Sequence, residues 1–581
     1  MKEKKWQISP KIDQELLEKF PEINSLILQL LNNRNIKTQK DIDAFLNPNY
    51  DEQVADPYLF KDMTKAVERL MMAIHNHEKV MIYGDYDADG VCSTVILYQT
   101  LKALGLDLDI YIPFRESEGY GLNTKIVQQI INQGFKLIIT VDCGVSNKKE
   151  IDIFNESEVD VIILDHHDEP LELPSALAII NPSLKNSGYP PNRLCGAGVV
   201  FKFVQAIIIH QEKEDSPIKL PFGFEKWLLD LVAIATIGDI VPLINENRIL
   251  VKYGLTVLAK TKNLGLIKLM EVVNNQYGQL DSEYVGWRLV PRLNAAGRVN
   301  HANVSFNLLV SSTEEEAEKW AKTLDDNNKQ RQQLTEKMLS DALSQIGEPT
   351  DEQKILIAIG DSWPAGVVGL VAGKMCDRFA RPALIFGRST TDEGEIKYTG
   401  SGRSIAGFDV TQALKDCHEY ILRFGGHPQA CGLTIMGDEN FEKFKTKISA
   451  LASERLINID LSKVLAIDAE IKLKDISWEA INELQKFEPY GEGNREPLFS
   501  AYNLNIEQIQ TVGNDGKHLK VLVSQDSVPE FHKLIGFSFG EWCAKLNIGD
   551  KIDIVFELGI NEWNGNREIQ LKIEDLKISE K

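Results

Sequence analysis

The stretch that decides the fold is Met81-Ile82-Tyr83-Gly84-Asp85-Tyr86-Asp87-Ala88-Asp89-Gly90. A short apolar run ends there in three aspartates at alternate positions, followed by glycine. Carboxylates packed this closely repel one another and lose hydration, so a bound cation is the simplest way to neutralise them. An EF-hand calcium loop begins with the same spacing, but its twelfth position requires Glu and this chain has Ile96 there. The apolar run also predicts a buried strand rather than a helix, which favours a metal site at a strand end of an α/β sheet.

Composition narrows the class of protein. The 581-residue length predicts about three or four domains, and 43% hydrophobic with 26% charged residues is typical of a soluble globular chain. A net charge of −21 argues against indiscriminate nucleic-acid binding but allows a local basic groove. We expect no signal peptide and no membrane span, because no apolar run is long enough. Seven scattered cysteines without a CxxC pair indicate reduced thiols in a cytoplasmic protein.

The chain divides into segments of different pattern. From Val80 onward strand-like runs alternate with helical ones, which indicates βαβ units and a parallel sheet. The stretch 313–346 is charged and rich in amides and has neither Gly nor Pro, which favours a long solvent-exposed helix linking two lobes; an ordinary surface helix fits equally well. A second α/β pattern starts at Ile355, and short alternating runs from about Val464 favour a small OB-like β-barrel. The predicted segments are a mainly helical lead-in (1–75), a parallel-sheet domain (76–310), a connecting helix (311–350), a second α/β domain (351–455) and the barrel (456–581).

Acidic side chains follow three of the predicted strands, at the point where each strand ends. The predicted strands of the first sheet are Val80–Tyr83, Leu108–Ile112, Leu137–Val141 and Val159–Leu164. Asp85, Asp87 and Asp89 follow the first strand, Asp142 follows the third, and Asp165-His166-His167 follows the fourth. Ligands of open parallel sheets bind beyond the carboxyl ends of the strands, so these clusters should converge at one edge. A single aspartate after a strand would more simply cap a helix, but three clusters at one edge favour a metal site.

The residue types indicate which metal and which chemistry. Carboxylates with one or two imidazoles suit Mn²⁺ or Mg²⁺ better than a thiol-seeking metal. The number of candidate ligands indicates two ions. Two metals about 3.5–4 Å apart can activate a water and stabilise the leaving oxygen in phosphoester hydrolysis.

These motifs resemble a known family. The successive motifs of the DHH phosphoesterase superfamily are matched by Asp85–Gly90, Val141-Asp142-Cys143-Gly144, Asp165-His166-His167 and Ile237–Leu243. Within the superfamily the sequence is most similar to the RecJ family of single-strand-specific 5′→3′ exonucleases. That resemblance extends over Leu194–Val199, Pro291–Arg298, Gly425-Gly426-His427 and Pro489–Asn494. It covers about residue 50 to the C-terminus and implies a DHH domain, a connecting helix, a DHHA1 domain and an OB-like domain.

The resemblance also implies roles for individual residues. The matching metal positions are Asp85, Asp87, Asp89, Asp142, His166 and Asp239. Asp142 is the expected bridge between two ions, and the catalytic set implied is Asp89, Asp142, His166 and His167. His167 matches a position that contacts phosphate or assists the leaving group, although a supporting or core histidine is the alternative. Asp165 is expected to orient a histidine rather than to bind metal.

Further residues resemble contacts to the nucleic acid. Arg115, Ser401 and Arg403 match contacts of the 5′-phosphate, for which the planar fork of arginine is suited; a solvated surface charge is the alternative for either arginine. Arg292, Asn294 and Arg298 would line the strand path, with a structural role almost equally favoured, and His427 would touch phosphate near the metals. The aromatic residues of the tail could stack bases, although most are expected in the barrel core. These aromatic residues are Phe499, Tyr502, Phe537, Phe539, Trp542 and Trp563.

The expected function is removal of 5′-mononucleotides from single-stranded DNA in repair and recombination. A DHH enzyme acting on oligoribonucleotides or small phosphate substrates is the first alternative, although such enzymes generally lack an OB-like tail. A non-catalytic replication scaffold is the second, and the full set of metal positions argues against it. The implied partners are single-stranded DNA, a single-strand-binding protein and a helicase, with a monomeric chain. One departure is Trp363-Pro364, where the family commonly carries Trp-His, so one contact of the second lobe is in doubt.

Overall fold

The N-terminal segment divides its contacts between two domains. The computed structural model describes residues 4–115, 118–191, 193–213, 219–273, 280–391, 393–525, 528–563 and 566–579. The segment contains β1 (Lys5–Ile8), α1 (Gln14–Lys19), α2 (Ser25–Asn33), α3 (Gln39–Leu46), α4 (Tyr50–Gln53) and α5 (Met63–His75). Leu28 and Leu31 of α2 share a core with Phe487 near the C-terminal barrel, whereas Met63 and Leu70 of α5 pack into the core of the parallel-sheet domain. The segment therefore ties the barrel to the domain that holds the acidic residues.

The predicted parallel sheet is confirmed. Its strands are β2 (Val80–Tyr83), β3 (Leu108–Tyr111), β4 (Leu137–Val141), β5 (Asp160–Leu164) and β6 (Ala178–Ile180), all parallel in the order β3-β2-β4-β5-β6. β2 is buried along its whole length because helices cover both faces. Val80 and Ile82 point into one core, and Met81 and Tyr83 point into the core on the opposite face. The polar residues that follow each strand are thereby forced to the sheet edge.

Helices surround this sheet and fix the loops at its carboxyl edge. They are α6 (Ala88–Ala103), α7 (Thr124–Asn132), α8 (Lys148–Glu156), α9 (Gly196–Lys213), α10 (Phe224–Trp227), α11 (Leu229–Gly238), α12 (Asn245–Leu258), α13 (Leu264–Val272), α14 (Ser282–Tyr284), α15 (Val290–Val299) and α16 (Asn303–Leu309). A π-helical turn at Val285–Leu289 joins α14 to α15. α6, α9 and α11 pack on one another on one side of the sheet, and both α6 and α9 begin at its carboxyl edge.

The connecting helix is α17 (Glu314–Ile346). The hydroxyl of Thr313 accepts the backbone N–H of Glu316 and caps its first turn. The predicted long helix between the two lobes is present, and most of its surface faces solvent, but a stripe along one face is buried. Its first part packs on α13, α15 and α16. Further along, Met338 and Ala342 join the core of the second lobe.

The second lobe is an α/β domain with a mixed sheet. Its elements are β7 (Leu356–Asp361), α18 (Ala365–Phe379), β8 (Ala383–Thr390), β9 (Ile396–Arg403), α19 (Val410–Lys415), β10 (Arg423–His427), β11 (Ala430–Met436) and α20 (Asp438–Arg455). The strand order is β10-β11-β9-β8-β7, and β7 and β8 pair in parallel while the other pairs are antiparallel. β9 and β10 both end at residues predicted to contact nucleic acid, Arg403 and His427.

The C-terminal region forms the predicted barrel. Its elements are β12 (Val464–Ile467), β13 (Ala469–Glu470), α21 (Trp478–Gln485), β14 (Leu498–Val512), β15 (His518–Gln525), β16 (Val528–Gly536), β17 (Lys551–Trp563) and β18 (Asn566–Ile578). The long strand β14 pairs with both β15 and β17 and so closes the order β14-β15-β16-β18-β17. β12 pairs in parallel with β1 of the N-terminal segment. In the part of the chain that the structure describes, no helix is long and apolar enough to cross a membrane.

Candidate active site

The aspartate triplet forms the turn between β2 and α6. Asp87 is the N-cap of α6, and its Oδ1 accepts the backbone N–H groups of Asp89 (3.0 Å) and Gly90 (3.1 Å). A Cβ atom at Gly90 would lie 2.6 Å from the carbonyl oxygen of Asp85, so only glycine permits this tight approach. Asp85 and Asp89 are almost fully buried. The turn therefore presents its carboxylates inward, at the carboxyl edge of the sheet.

Asp89 lies against the start of α9. Its two carboxylate oxygens accept the backbone N–H groups of Gly196 (2.6 Å) and Ala197 (2.7 Å). These N–H groups belong to the first turn of the helix, where unpaired donors and the helix dipole favour negative charge. Even so, burial and the charge of Asp87 raise the pKa of Asp89 to about 6.

Asp142 occupies the centre of the cluster. It adopts a left-handed backbone conformation (φ +60°) directly after β4, which turns its carboxylate toward the other acidic residues. A Cβ atom at Gly196 would lie 2.7 Å from Oδ1 of Asp142, so this glycine makes room for the carboxylate. Burial and the charge of Asp89 raise the pKa of Asp142 well above its ordinary value.

The imidazole of His166 lies among these carboxylates. Its Nε2 is 3.0 Å from Oδ1 of Asp142 and 3.7 Å from Oδ2 of Asp89, and its Nδ1 is 3.7 Å from Oδ2 of Asp239. Asp239 follows the last residue of α11, and burial with the charge of Asp89 raises its pKa to about 8. Burial and the neighbouring His167 lower the pKa of His166 to about 3, so the ring is neutral and able to bind metal.

The donor atoms fit a metal centre. Among the described residues, Oδ1 of Asp85 and Nδ1 of His166 are buried without a hydrogen-bond partner, and Oδ1 of Asp142 has only the imidazole of His166 beside it. Buried polar atoms without partners are costly, and a cation would satisfy them. Three groups each place their donor atoms within 4.8 Å of one another. The groups are Asp85–Asp87–Asp142, Asp89–His166–Asp239 and Asp142–His166–His167. The oxygen-rich donor set suits Mn²⁺ or Mg²⁺, and every predicted metal residue belongs to one of the groups.

His167 is oriented by Asp165. Oδ1 of Asp165 is 2.7 Å from Nδ1 of His167 and also accepts the backbone N–H groups of His166 and His167. Burial alone would lower the pKa of His167, but the hydrogen bond and charge of Asp165 outweigh it and raise the pKa to about 9. Since Asp165 is fully occupied, it supports His167 rather than offering a free ligand atom.

Arg115 and Arg298 lie beside the aspartate turn. The guanidinium of Arg115 is 4.9 Å from the ring centroid of Tyr86, the residue between Asp85 and Asp87. Arg298 donates from Nη1 to the carbonyl of Gly366, at the start of α18 in the second lobe (2.9 Å). Burial, followed by the positive charges of Arg115 and Arg331, lowers the pKa of Arg298 to about 9.

The second lobe adds Arg403 to this group. Arg403 also acts on Arg298 electrostatically, and its Nη1 donates to Ser401 Oγ at 3.2 Å. The cleft between the lobes therefore holds positive charge next to the carboxylate cluster.

The other predicted contacts are partly engaged within the protein. Arg292 binds Asp325 of α17 through Nε at 2.9 Å, and Oδ1 of Asn294 accepts the backbone N–H of Ala88 at 2.7 Å. These two side chains hold α17 and the start of α6 in place, which favours the structural role. Nδ1 of His427, a residue more than half exposed, lies 3.2 Å from Oδ2 of Asp168, the residue that follows His167 in the chain.

Sequence reasoning missed two residues of the cleft. The hydroxyl of Tyr120 lies 3.0 Å from Nδ1 of His167 and 3.3 Å from the carbonyl of Asp142. Arg331 lies within electrostatic reach of Arg298. A signal for Tyr120 existed, because glycines flank it on both sides in the sequence; both adopt positive φ in the structure. Arg331 gave none, since it is one charge among many on a polar helix.

The aromatic residues that were predicted as candidates for base stacking in the C-terminal tail differ in their burial. Phe499 is buried in the barrel core, as expected for most of them. Phe537 is half exposed and packs edge-on against His518, with ring centroids 5.3 Å apart. The side chain of Trp563 lies outside the described residues.

The fold and this site define a phosphoesterase of the DHH class. The model of the DHH family N-terminal domain matches residues 79–236, that of the DHHA1 domain matches 352–454, and that of the RecJ OB domain matches 467–575. The chain belongs to the RecJ family. It is 37% identical over 579 residues to the single-stranded-DNA-specific exonuclease RecJ of Bacillus subtilis strain 168, covering 99% of this chain and 71% of that protein.

Solved structures agree with this assignment. The crystal structure of RecJ from Thermus thermophilus in complex with Mn²⁺ matches with a TM-score of 0.83 and 27% identity, covering 99% of this chain and 80% of that one. The same protein in complex with Mg²⁺ matches with a TM-score of 0.76 and 26% identity, covering 99% and 79%. The similarity thus spans all the domains described above.

Proposed function

We propose that this protein is a single-stranded-DNA-specific exonuclease that removes 5′-mononucleotides from the 5′ end by metal-dependent phosphodiester hydrolysis. The observation that carries the proposal is the juxtaposition of the carboxylate–histidine cluster with Arg115, Arg298 and Arg403 in one cleft. The names of the relatives support the substrate. The arginine group supports the 5′ polarity, since arginine binds a terminal phosphate through its planar fork.

The donor set supports Mn²⁺ or Mg²⁺ as the cofactor, and the related crystal structures contain these ions. Asp85, Asp87 and Asp142 would hold one ion, and Asp89, His166 and Asp239 the other. Asp142 also groups with His166, so it is the residue best placed to bridge. When bound, the ions supply an activated water and charge stabilisation for hydrolysis at phosphorus.

The side chains of the protein perform the remaining steps. Arg115 and Arg403 would bind the terminal 5′-phosphate, and Ser401 would hold Arg403 in position. That contact sets the distance from the strand end to the reacting phosphodiester and so selects release of one nucleotide. His167, protonated and held by Asp165, would donate a hydrogen bond to the reacting phosphate and a proton to the departing 3′-oxygen. The shortened strand then carries a new 5′-phosphate, which suits the same pocket in the next cycle.

The test uses purified protein with Mn²⁺ and single strands labelled at either end, with and without a 5′-phosphate. Duplex DNA and phosphoadenosine phosphate serve as comparison substrates. We expect mononucleotides from the 5′ end of single strands, lost in Asp142→Ala. Digestion from 3′ ends, or activity on the small substrate alone, would overturn the proposal. Activity that survives Asp142→Ala would overturn the assigned metal centre.

The substrate also determines the partners that we propose. A helicase would generate single strands, and a single-strand-binding protein would keep them accessible, so both belong upstream of this enzyme in the cytoplasm. We propose that the chain acts as a monomer, because every residue of the proposed site comes from one chain. Light scattering with and without a single strand checks the monomer, and an added single-strand-binding protein or helicase should raise the rate on the substrates that each supplies.

A further inference from the structure

The last residues of β2 and β3 are tyrosines that face each other. Tyr83 and Tyr111 are partners in the parallel register of the two strands, and their rings stack with centroids 5.2 Å apart and planes at 30°. Tyr83 is fully buried, and Tyr111 packs against the same core. The cost of burying a hydroxyl group must be offset by a hydrogen bond, so the partners of these two groups are informative.

Both hydroxyl groups hold the loop that follows β3. This loop, residues 112–122, is described at 112–115 and 118–122. The hydroxyl of Tyr111 lies 2.8 and 2.9 Å from the two carboxylate oxygens of Glu118, and the hydroxyl of Tyr83 donates to the carbonyl of Gly121 at 3.1 Å. Burial raises the pKa of both tyrosines, and for Tyr111 the hydrogen bond to Glu118 adds to the rise. Both hydroxyl groups therefore stay protonated and able to donate.

Glu118 closes the part of the loop that carries Arg115. Oε2 of Glu118 accepts the backbone N–H of Phe114 at 2.8 Å, and the backbone N–H of Glu118 donates to the carbonyl of Phe114 at 2.9 Å. Phe114, the residue before Arg115, thus has both of its backbone polar groups bonded to Glu118. Because Tyr111 holds the carboxylate of Glu118, it fixes the backbone from which the guanidinium of Arg115 extends toward Tyr86.

Gly121 fixes the other end of the loop, next to Tyr120. It adopts φ +78°, and a Cβ atom there would lie 2.6 Å from Oδ1 of Asn147, so only glycine allows this close packing. Nδ2 of Asn147 also donates to the carbonyl of Leu122 at 3.2 Å. The hydrogen bond from Tyr83 to Gly121 therefore holds the backbone beside Tyr120, whose hydroxyl lies 3.0 Å from Nδ1 of His167.

We propose that Tyr83 and Tyr111 are positioning residues, which hold this loop so that Arg115 reaches the terminal phosphate and Tyr120 reaches His167. Tyr111 acts on Arg115 through Glu118, and Tyr83 acts on Tyr120 through the backbone of Gly121. Holding the loop in advance removes the entropy cost of ordering it when substrate binds. This inference rests on the proposed function, because it assigns positioning residues to the same site.

The test uses Tyr111→Phe and Tyr83→Phe, which keep both rings and remove one hydroxyl group each. We expect Tyr111→Phe to raise KM for a 5′-phosphorylated strand about tenfold with little change in kcat, since it loosens Arg115. Tyr83→Phe should instead lower kcat about tenfold with little change in KM, since it loosens the contact between Tyr120 and His167. Tyr58→Phe is the matched control, because it removes a hydroxyl that donates to the carbonyl of Ala206 in α9 at 2.9 Å. It should change neither kcat nor KM.

Double variants test whether each tyrosine acts through its loop residue. In the Arg115→Gln background, Tyr111→Phe should change KM by less than about twofold. In the Tyr120→Phe background, Tyr83→Phe should likewise change kcat by less than about twofold. Equal effects with and without the loop residue would overturn the proposal, because a general loss of stability would add to any other change.

Hydrogen exchange separates this inference from the proposed function, because it requires neither substrate nor catalysis. Exchange at residues 118–122 should accelerate in both single variants, while β4 and β5 keep their protection. Faster exchange there supports the role of the tyrosines even if the protein digests from another end, and the kinetic comparison is then made on the strand that it cleaves. Unchanged exchange at these residues in either variant would overturn the role of that tyrosine.

Discussion

Nδ1 of His167 lies 2.7 Å from Oδ1 of Asp165, a carboxylate with no exposed surface. The other oxygen of Asp165 accepts the backbone N–H of Val145 at 2.9 Å. The carboxylate thus fixes the direction of the imidazole and favours its protonated form. A buried hydrogen-bonded pair of this kind keeps a catalytic proton in place without being consumed.

Asp165→Asn should therefore lower kcat about 10- to 100-fold, the range found when a residue that orients a site histidine is changed. The charge of Asp165 raises the pKa of His167 to about 9, so its removal lets His167 lose its proton at a lower pH. The alkaline limb of the pH–rate profile should move to lower pH in the variant. Tyr120→Phe removes one hydrogen bond to His167 and keeps the charge of Asp165, so it is the matched control. An alkaline limb that stays in place in Asp165→Asn would exclude His167 as the proton donor.

The carboxylate cluster makes metal binding depend on pH. Burial, followed by the charge of a neighbouring aspartate, raises the pKa of Asp89 to about 6 and of Asp239 to about 8, above their ordinary value of 3.8. The metal-free folded state then holds protons that the unfolded state has released, so its stability falls as the pH rises through this range. A cation replaces those protons. Thermal melts should show a larger gain from Mg²⁺ or Mn²⁺ at about pH 8.5 than at about pH 5.5.

The variant Asp142→Asn also tests whether the carboxylates repel one another when no metal is bound. It removes one of the repelling charges, so the metal-free variant should melt at a higher temperature than the unmodified protein at alkaline pH. It should also lose most of the gain from metal and about 10³-fold in activity. A variant that melts lower than the unmodified protein in EDTA would show that the carboxylates are not in repulsion.

The pocket arginines should act on substrate binding. Arg115→Gln and Arg403→Gln should each raise KM for a 5′-phosphorylated strand about 10- to 100-fold, because each removes charge-assisted hydrogen bonds. Steady-state kinetics on short strands measure this effect. Arg388→Gln removes an exposed guanidinium from the neighbouring strand β8. This variant should keep both the kcat and the KM of the unmodified protein. Equal effects of all three changes would indicate general electrostatic attraction instead of a pocket.

The sequence was sufficient to predict the parts of the site that local pattern controls. The apolar run before Asp85 predicted β2 with its observed bounds, and the rule for parallel sheets predicted that Asp142 and His166 would meet it. Contacts between segments that are distant in the chain leave no local pattern in the sequence from which they could be predicted. Nothing near Asn294 shows that it binds the start of α6, and nothing in α2 shows that it packs on the barrel. Those contacts depend on which surfaces remain after each domain has formed.

Arg248 joins three segments that the sequence could not connect. It is 2% exposed, and it donates to the carbonyls of Phe45 in α3 (2.8 Å) and of Lys486 (2.7 Å) and Glu488 (2.9 Å) after α21. Arg248→Met keeps much of the side-chain volume but leaves these buried carbonyls without donors. We expect a loss of about 2–4 kcal/mol in the free energy of unfolding.

The position of Arg248 also predicts which segments of the chain lose stability in the variant. Hydrogen exchange should accelerate in α3 and around residues 486–488, while the strands β2 and β4 beneath the carboxylate cluster keep their protection. Arg381→Met is the matched control, because Arg381 is 4% exposed and donates to the carbonyls of Pro349 and Thr350 beside the second lobe. It should destabilise that lobe and leave exchange at the barrel unchanged. Uniform acceleration in both variants would mean that the domains unfold together and that Arg248 has no special role in holding the barrel to the catalytic domain.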